Sequence, residues 1–259
     1  MLELRQVAPR EWELVYPPAY VELRPELDGA TELMEAGDLS GSETALRRLL
    51  AEAPWNLDAH HYLAEILQAR GLSGEALEHW SRAVQIGRGV YPRTFDPGTD
   101  GILWSRQSNR GFLRSLRGLG LALAARGRRD EALAALRELV LLDPNDPLDV
   151  RAAALCMALD LDRPEEALEL AQTWEEGEPA EVSYGRALAL FGMSEQGKAE
   201  HALRLAISAA PQFASELIQA ARARGHGSDH HWVGRWNKYP GAWDWLKRGK
   251  SVMAPGRHQ

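Results

Sequence analysis

Four arginines stand at spacings that could grip a ligand. Arg106, Arg110 and Arg114 follow one another by four residues and Arg117 follows by three, so all four share one face if their helix begins early enough. A guanidinium presents a planar fork of N–H donors that matches a carboxylate, so a row of them suits an acidic peptide or a C-terminal carboxylate. The competing reading is a solvated face neutralised by acids of adjoining segments, such as Asp58, Glu65 and Asp149. Residues 101–129 hold seven arginines and no acid, residues 130–220 carry 18 acids against 6 bases, and residues 221–259 return to a net +6. In a chain of net charge −7, such blocks favour contacts between oppositely charged segments.

Other residue types capable of chemistry do not assemble into a site. "HGSDHHW" (226–232) offers His226, Asp229, His230 and His231, a set that could hold zinc or nickel. Adjacent histidines point apart on a helix, however, and Gly227 interrupts the run, so solvated turn histidines are the better reading. His60 and His61, with Glu65 four residues after His61, lack a His-Glu-x-x-His pattern and read as an exposed helix face. Cys156, the only cysteine, lies in the apolar run "AAALCMALDL" with no positive group placed to lower its pKa, and reads as a packing residue. Asp160 and Asp162 precede a turn and read as caps. "GLGLAL" (118–123) begins like a dinucleotide loop but lacks a third glycine and a preceding strand. The expectation is a non-enzymatic protein with no cofactor and no metal.

The elements that position these residues show a repeating pattern. "GRRDEALAALRELVLLDPNDP" (127–147) has a turn glycine, a charged first turn, an apolar stripe and a stopping proline. Gly37, Ser42, Leu46, Leu49 and Pro54 occupy the same offsets as Gly127, Ala132, Leu136, Leu139 and Pro144, and Gly71, Ala76, Trp80 and Ala83 repeat them. Gly37 and Gly71 are 34 residues apart. Ala167, Ala171, Trp174 and Pro179 follow the pattern, then Ala199, Leu203, Ala206 and Pro211. Upstream of three of these turns a second apolar helix carries a small residue, Ala64, Gly120 or Ala187, that lets two antiparallel axes approach closely. The period and the small residues resemble the tetratricopeptide repeat, whose units bury their apolar faces only when stacked.

This resemblance implies an all-α fold, a tetratricopeptide-type α-solenoid of antiparallel helix pairs, with strand signals nearly absent. Five units are expected at about 23–56, 57–90, 113–146, 148–181 and 180–213. The organisation reads as an N-terminal extension (1–22), repeats one and two (23–90), an inserted loop broken by prolines and glycines (91–112), repeats three to five (113–213), a C-terminal aromatic cap (214–249) and a tail (250–259). Trp232, Trp236, Trp243 and Trp245 fall within fourteen residues and suit a cap over the open end of the last repeat. "MLELRQVAPREWEL" lacks the basic and apolar regions of a signal peptide, and the longest apolar run, 119–125, is too short to cross a bilayer. A soluble, cytoplasmic protein is expected.

Three stretches carry a narrower resemblance, covering roughly the second half. "NRGFLR" (109–114) is similar to an Asn-Arg-Pro-Tyr-Leu-Arg start of a repeat. "DPNDPLDVR" (143–151) is similar to an Asn-Pro-Asn-Asp junction closed by an arginine. "GSDHHWVGRWNKYPGAWDWL" (227–246) is similar to an ending with a Gly-Ser turn, an aromatic helix and a final Gly-Ala-x-x-Trp-Leu. Together they resemble bacterial tetratricopeptide proteins of unassigned activity, distantly similar to the suppressor-of-tumorigenicity-7 proteins. Gly111 replaces the usual proline, and His230 and His231 stand where acids are typical. The resemblance implies a scaffold or adaptor and carries no catalytic residue.

The functional expectation is a scaffold that binds a protein or peptide segment, acidic in character, at Arg106, Arg110, Arg114 and Arg117. Association with its own copy is a further expectation. A nucleic-acid-associated factor using the 106–129 arginines and the basic C-terminus is the alternative, disfavoured because the acidic flanks would repel phosphates. A metal-dependent enzyme at the 226–231 histidines is the weaker one.

Overall fold

Three glycines open the helix hairpins. Gly37, Gly71 and Gly127 take φ of 85°, 77° and 73°, a left-handed conformation that lacks a steric penalty only without a Cβ. Each ends one helix and starts the next two residues later. In the computed structural model, which describes residues 1–171, 178–222 and 231–253, the pairs are α2 (Arg24–Glu35) with α3 (Leu39–Glu52), α4 (Leu57–Ala69) with α5 (Ser73–Arg88), and α6 (Arg110–Ala125) with α7 (Arg129–Leu142). Two further pairs follow, α8 (Arg151–Asp160) with α9 (Pro164–Ala171) and α10 (Ala180–Gly192) with α11 (Gln196–Ala209). There the left-handed residue is Asp162, φ 57°, or Ser194, φ 62°. Non-glycine residues at these two turns are the local reason the fourth and fifth units depart from the sequence signature.

Five residues after each left-handed residue a small side chain is buried: Ser42, Ala76, Ala132, Ala167 and Ala199. Ser42 Oγ donates to the Ala30 carbonyl at 2.7 Å. A Cβ on Gly120 would stand 2.5 Å from Leu136 Cδ2, so this glycine is where α6 and α7 approach. A Cβ on Gly118 would meet the Trp80 ring at 2.4 Å. Both glycines of the "GLGLAL" run are therefore filled by packing.

The chain divides into two compact units, Met1–Val150 and Arg151–Gln259. The first also contains a small sheet that the sequence reading lacks. β1 (Glu3–Ala8) and β2 (Glu11–Val15) form an antiparallel hairpin, and β3 (Gly101–Ile102) adds to β2 in parallel. Leu2, Leu4, Trp12 and Leu14 alternate into the core, a period-2 pattern confined to two short stretches. The segment 91–112 is thereby tied down. Trp12 meets Phe95 edge-on at 5.5 Å, and the buried Asn109 amide donates to the carbonyls of Trp12 and Leu103 while its oxygen accepts from Leu14 N. α1 (Ala19–Glu22) is a single turn between the hairpin and α2.

The second unit closes with α12 (Pro211–Arg222), α13 (His231–Asn237) and α14 (Pro240–Met253). Trp232 and Trp236 are fully buried, Trp232 edge-on to Phe213 and Trp236 to Tyr184. Trp243 and Trp245 are half-buried. Arg235 pairs with Asp160 at 2.7 Å and Lys238 with Asp162 at 2.7 Å, so these two acids anchor α13 in addition to standing at a turn. No helix among the described residues is long and apolar enough to cross a membrane.

Candidate peptide-binding groove

α6 starts at Arg110, because residues Gln107–Asn109 form a 3-10 turn. Arg106 therefore lies ahead of the helix, and Glu11 and Glu13 of β2 take its guanidinium at 3.2 and 3.5 Å. Arg117 turns to the 143–150 junction, where its Nε donates to the Leu148 carbonyl at 3.2 Å. Arg110 and Arg114 remain together. Both line a cleft of about 120 Å³ that is also lined by Tyr20, Arg24, Asp28 and Asp58.

An aromatic ring orders this pair. Trp104 lies within 5.0 Å of the Arg110 guanidinium carbon and 5.3 Å of that of Arg114, the range of a cation–π contact. Arg110 Nε also donates to the Trp104 carbonyl at 3.1 Å, and Arg114 Nη1 to the Tyr62 hydroxyl at 2.9 Å. The Trp104 backbone is itself fixed, since its main-chain N–H donates to Asp143 Oδ2 at 2.7 Å. Asp143 is the first residue of the "DPND" junction, so one local motif at the end of α7 holds the ring on which the arginines rest.

Among the described residues, neither Arg110 nor Arg114 forms an ion pair. Elsewhere in the same unit Arg24 pairs with Asp28, Arg47 with Glu43 and Glu75, Arg48 with Glu26, and Arg88 with Glu138. Asp58 and Glu65 feel the charge of Arg114 without contacting it as ion pairs. Burial raises the Asp58 carboxyl above its usual range, opposed by a hydrogen bond from the Tyr20 hydroxyl at 3.0 Å and by the nearby Arg114. A hydrogen bond from His61 lowers Glu65. Each guanidinium in the cleft keeps N–H donors directed by stacking, which is an arrangement suited to a carboxylate brought from outside.

The histidines of α4 depart from expectation. His60 and His61 are both buried, not exposed, because α4 is packed by α3, α5 and α6 and has no solvated side at its start. His60 Nε2 faces the Pro54 carbonyl at 3.1 Å and its Nδ1 faces His79 Nδ1 at 2.9 Å. A carbonyl only accepts, so His60 carries its proton on Nε2 and accepts at Nδ1 from His79. Burial lowers the His60 pKa to about 4. Cys156 is buried, and burial raises its thiol to about 11 although Arg235 stands near enough to oppose the shift. A positive group is thus present, and desolvation outweighs it. His226, Asp229 and His230 lie outside the described residues, as does Trp174; among the described residues no group of three or more His, Cys, Asp or Glu could hold a metal ion.

Trp104, Tyr62, Tyr20 and Asp58 are the members of this site that the arginine spacing does not reveal. The sequence signal for Trp104 is an aromatic residue six positions before Arg110 in the inserted segment. Tyr62 and Tyr20 have no local signal, since they reach the cleft from other elements.

Solved structures with the same architecture are tetratricopeptide-repeat proteins. YrrB, described as a protein with an unusual peptide-binding site, is 18% identical over 74% of this chain and 91% of its own, with a TM-score of 0.53. A tetratricopeptide repeat protein from Parabacteroides merdae is 14% identical over 90% of this chain and 94% of its own, also at 0.53. MamA is 16% identical over 74% and 93%, at 0.51. At such identities the likeness concerns the fold. No curated protein matches the sequence. The family established by sequence differs from the suppressor-of-tumorigenicity-7 likeness of the local stretches. The model of the Tcf25 family, described as transcriptional repressor TCF25, matches residues 33–233, well over half of the chain, and the protein belongs to that family.

Proposed function

We propose that this protein is a non-enzymatic helical-repeat scaffold that captures an acidic protein segment at the Arg110–Arg114 cleft. The observation that carries the reading is that these two arginines stand side by side in one cleft, both against Trp104 and Arg114 also on the Tyr62 hydroxyl, with no ion-pair partner among the described residues. Peptide recognition by YrrB and the scaffold role implied by the resemblance to bacterial repeat proteins support it.

The family description favours a second reading, a part in transcription regulation. A regulator that acts through protein contacts is compatible with the same cleft. Direct nucleic-acid binding by the 106–129 arginines is less well supported, since Arg106 is neutralised by Glu11 and Glu13 and Arg128 pairs with Glu131.

The test is fluorescence anisotropy with labelled hexaglutamate. The protein binds it in a salt-sensitive manner, and reversal of both Arg110 and Arg114 to glutamate weakens binding by at least about tenfold, the loss of ~1.4 kcal/mol, with the helical circular dichroism unchanged. Equal affinity of the two proteins would place the site elsewhere.

A further inference from the structure

A cleft of about 120 Å³ is several times smaller than a ligand pocket of roughly 300–1,000 Å³. A cleft of that size receives the end of an acidic side chain rather than a length of peptide. Deeper engagement of a segment would need one of its walls to move.

The walls are not equally anchored. α4 and α6 carry the buried Leu57, Leu63, Leu67, Phe112, Leu113 and Leu116. Trp104 is held at its backbone by Asp143 and at its ring by two arginines. The remaining wall begins with residues 16–22, which cross from the hairpin to α2. α1 within this segment has no buried residue, and Val21 is 75% exposed. Its backbone hydrogen bonds are local, from Tyr20 N to Pro17 O, from Val21 N to Pro18 O and from Leu23 N, at the start of α2, to Ala19 O. Among the described residues, one side-chain hydrogen bond ties it to the helices, from the Tyr20 hydroxyl to Asp58 Oδ2. Tyr16 stacks on Tyr20 at 4.2 Å and both rings approach Trp55, yet the buried Tyr16 hydroxyl has no hydrogen-bond partner. The closed segment thus leaves a polar group unsatisfied, where buried hydroxyls are ordinarily paired.

We infer that residues 16–22 are a strap across the groove, latched by Tyr20 on Asp58, which an incoming acidic segment displaces to reach Arg110 and Arg114. This rests on the acidic-segment reading above. Lifting the strap removes the Tyr20 ring from the cleft and extends the groove along α4 and α6. It also releases Tyr16 to water.

Hydrogen exchange with the full chain tests this, read by mass spectrometry with and without hexaglutamate. Binding raises exchange in peptides covering 16–22 while lowering it over 104–117. Tyr20→Phe, which removes the latch and keeps the ring, raises exchange of 16–22 in the free protein and tightens hexaglutamate binding by about tenfold, the weight of a hydrogen bond to a charged group. Binding to Tyr20→Phe alone, with none to the parent chain, also supports the strap. Binding of equal strength to both proteins, with exchange of 16–22 unchanged or reduced, overturns it and leaves the acidic-segment reading standing. Failure of both proteins to bind overturns that reading and the strap with it.

Discussion

Arg114 in the first unit and Arg235 in the second stand in similar company and do different things. Each guanidinium lies against a tryptophan, Arg114 at 5.3 Å from Trp104 and Arg235 at 5.2 Å from Trp232. Arg235 is buried and also has Asp160 at 2.7 Å and the Cys156 carbonyl at 3.3 Å. Its charge is answered within the fold, so it fixes α13 to α8. Arg114 has the aromatic ring and a neutral hydroxyl but no carboxylate. Stacking orients a guanidinium without neutralising it, and the missing acid is what separates a recognition residue from a structural one.

The difference can be broken first at its structural end. Replacing Asp160 with alanine strands Arg235 in a buried site, and stability of the second unit falls by about 3 kcal/mol, measured by urea denaturation. An effect below ~1 kcal/mol would mean that Arg235 is solvated and the contrast with Arg114 is not one of charge compensation.

A polar contact without any acid gives an intermediate case. His60 is held neutral by burial, with His79 and Arg82 adding to the pressure against protonation and the Pro54 carbonyl opposing it, while His79 is lowered by burial and by Arg47, against the pull of Glu75 and Glu78. Because the folded pKa of His60, about 4, lies below its unfolded value near 6.5, the unfolded chain binds more protons between these values. The stabilisation is present above pH 6.5 and is lost as pH falls toward 4, by about 3 kcal/mol. Denaturation midpoints across pH 4–7 measure it, and His60→Gln should flatten the slope.

The apolar frame that carries α6 gives a smaller effect. Ala132 is fully buried opposite Gly120, and Ala132→Leu overpacks this contact, lowering stability by about 1–3 kcal/mol in a thermal melt. An unchanged melting temperature would contradict the close approach of α6 and α7. Smallest of all is the effect of Arg110→Gln with Arg114→Gln. With ring contacts and hydrogen bonds but no ion pair to lose, stability falls by about 1 kcal/mol, while hexaglutamate affinity drops. A large destabilisation would make these arginines structural, like Arg235.

The helix pairs were legible in the sequence where a local rule governs them. Gly37, Gly71 and Gly127 declare the left-handed turn, and Ala76 and Ala132 follow at fixed distance because the same hairpin geometry recurs. Asp162 and Ser194 perform the same turn without a glycine, so the fourth and fifth pairs showed only their small packing residues. The hairpin 3–15 was missed because its two alternating stretches are short and its third strand comes from residues 101–102. Within the site, the four-residue spacing marked Arg110 and Arg114. It also included Arg106, whose partners Glu11 and Glu13 lie more than ninety residues away, beyond what spacing can report. The burial of His60 and His61 has the same origin, since neighbours from three other helices decide it.

The contrast between the two arginines can be read directly from their side-chain Nε–H resonances during titration with hexaglutamate. The account predicts that the Arg110 and Arg114 signals shift together and saturate while the Arg235 signal stays in place. Shifts spread evenly over the exposed arginines, or a stationary Arg110 and Arg114, would contradict a dedicated cleft.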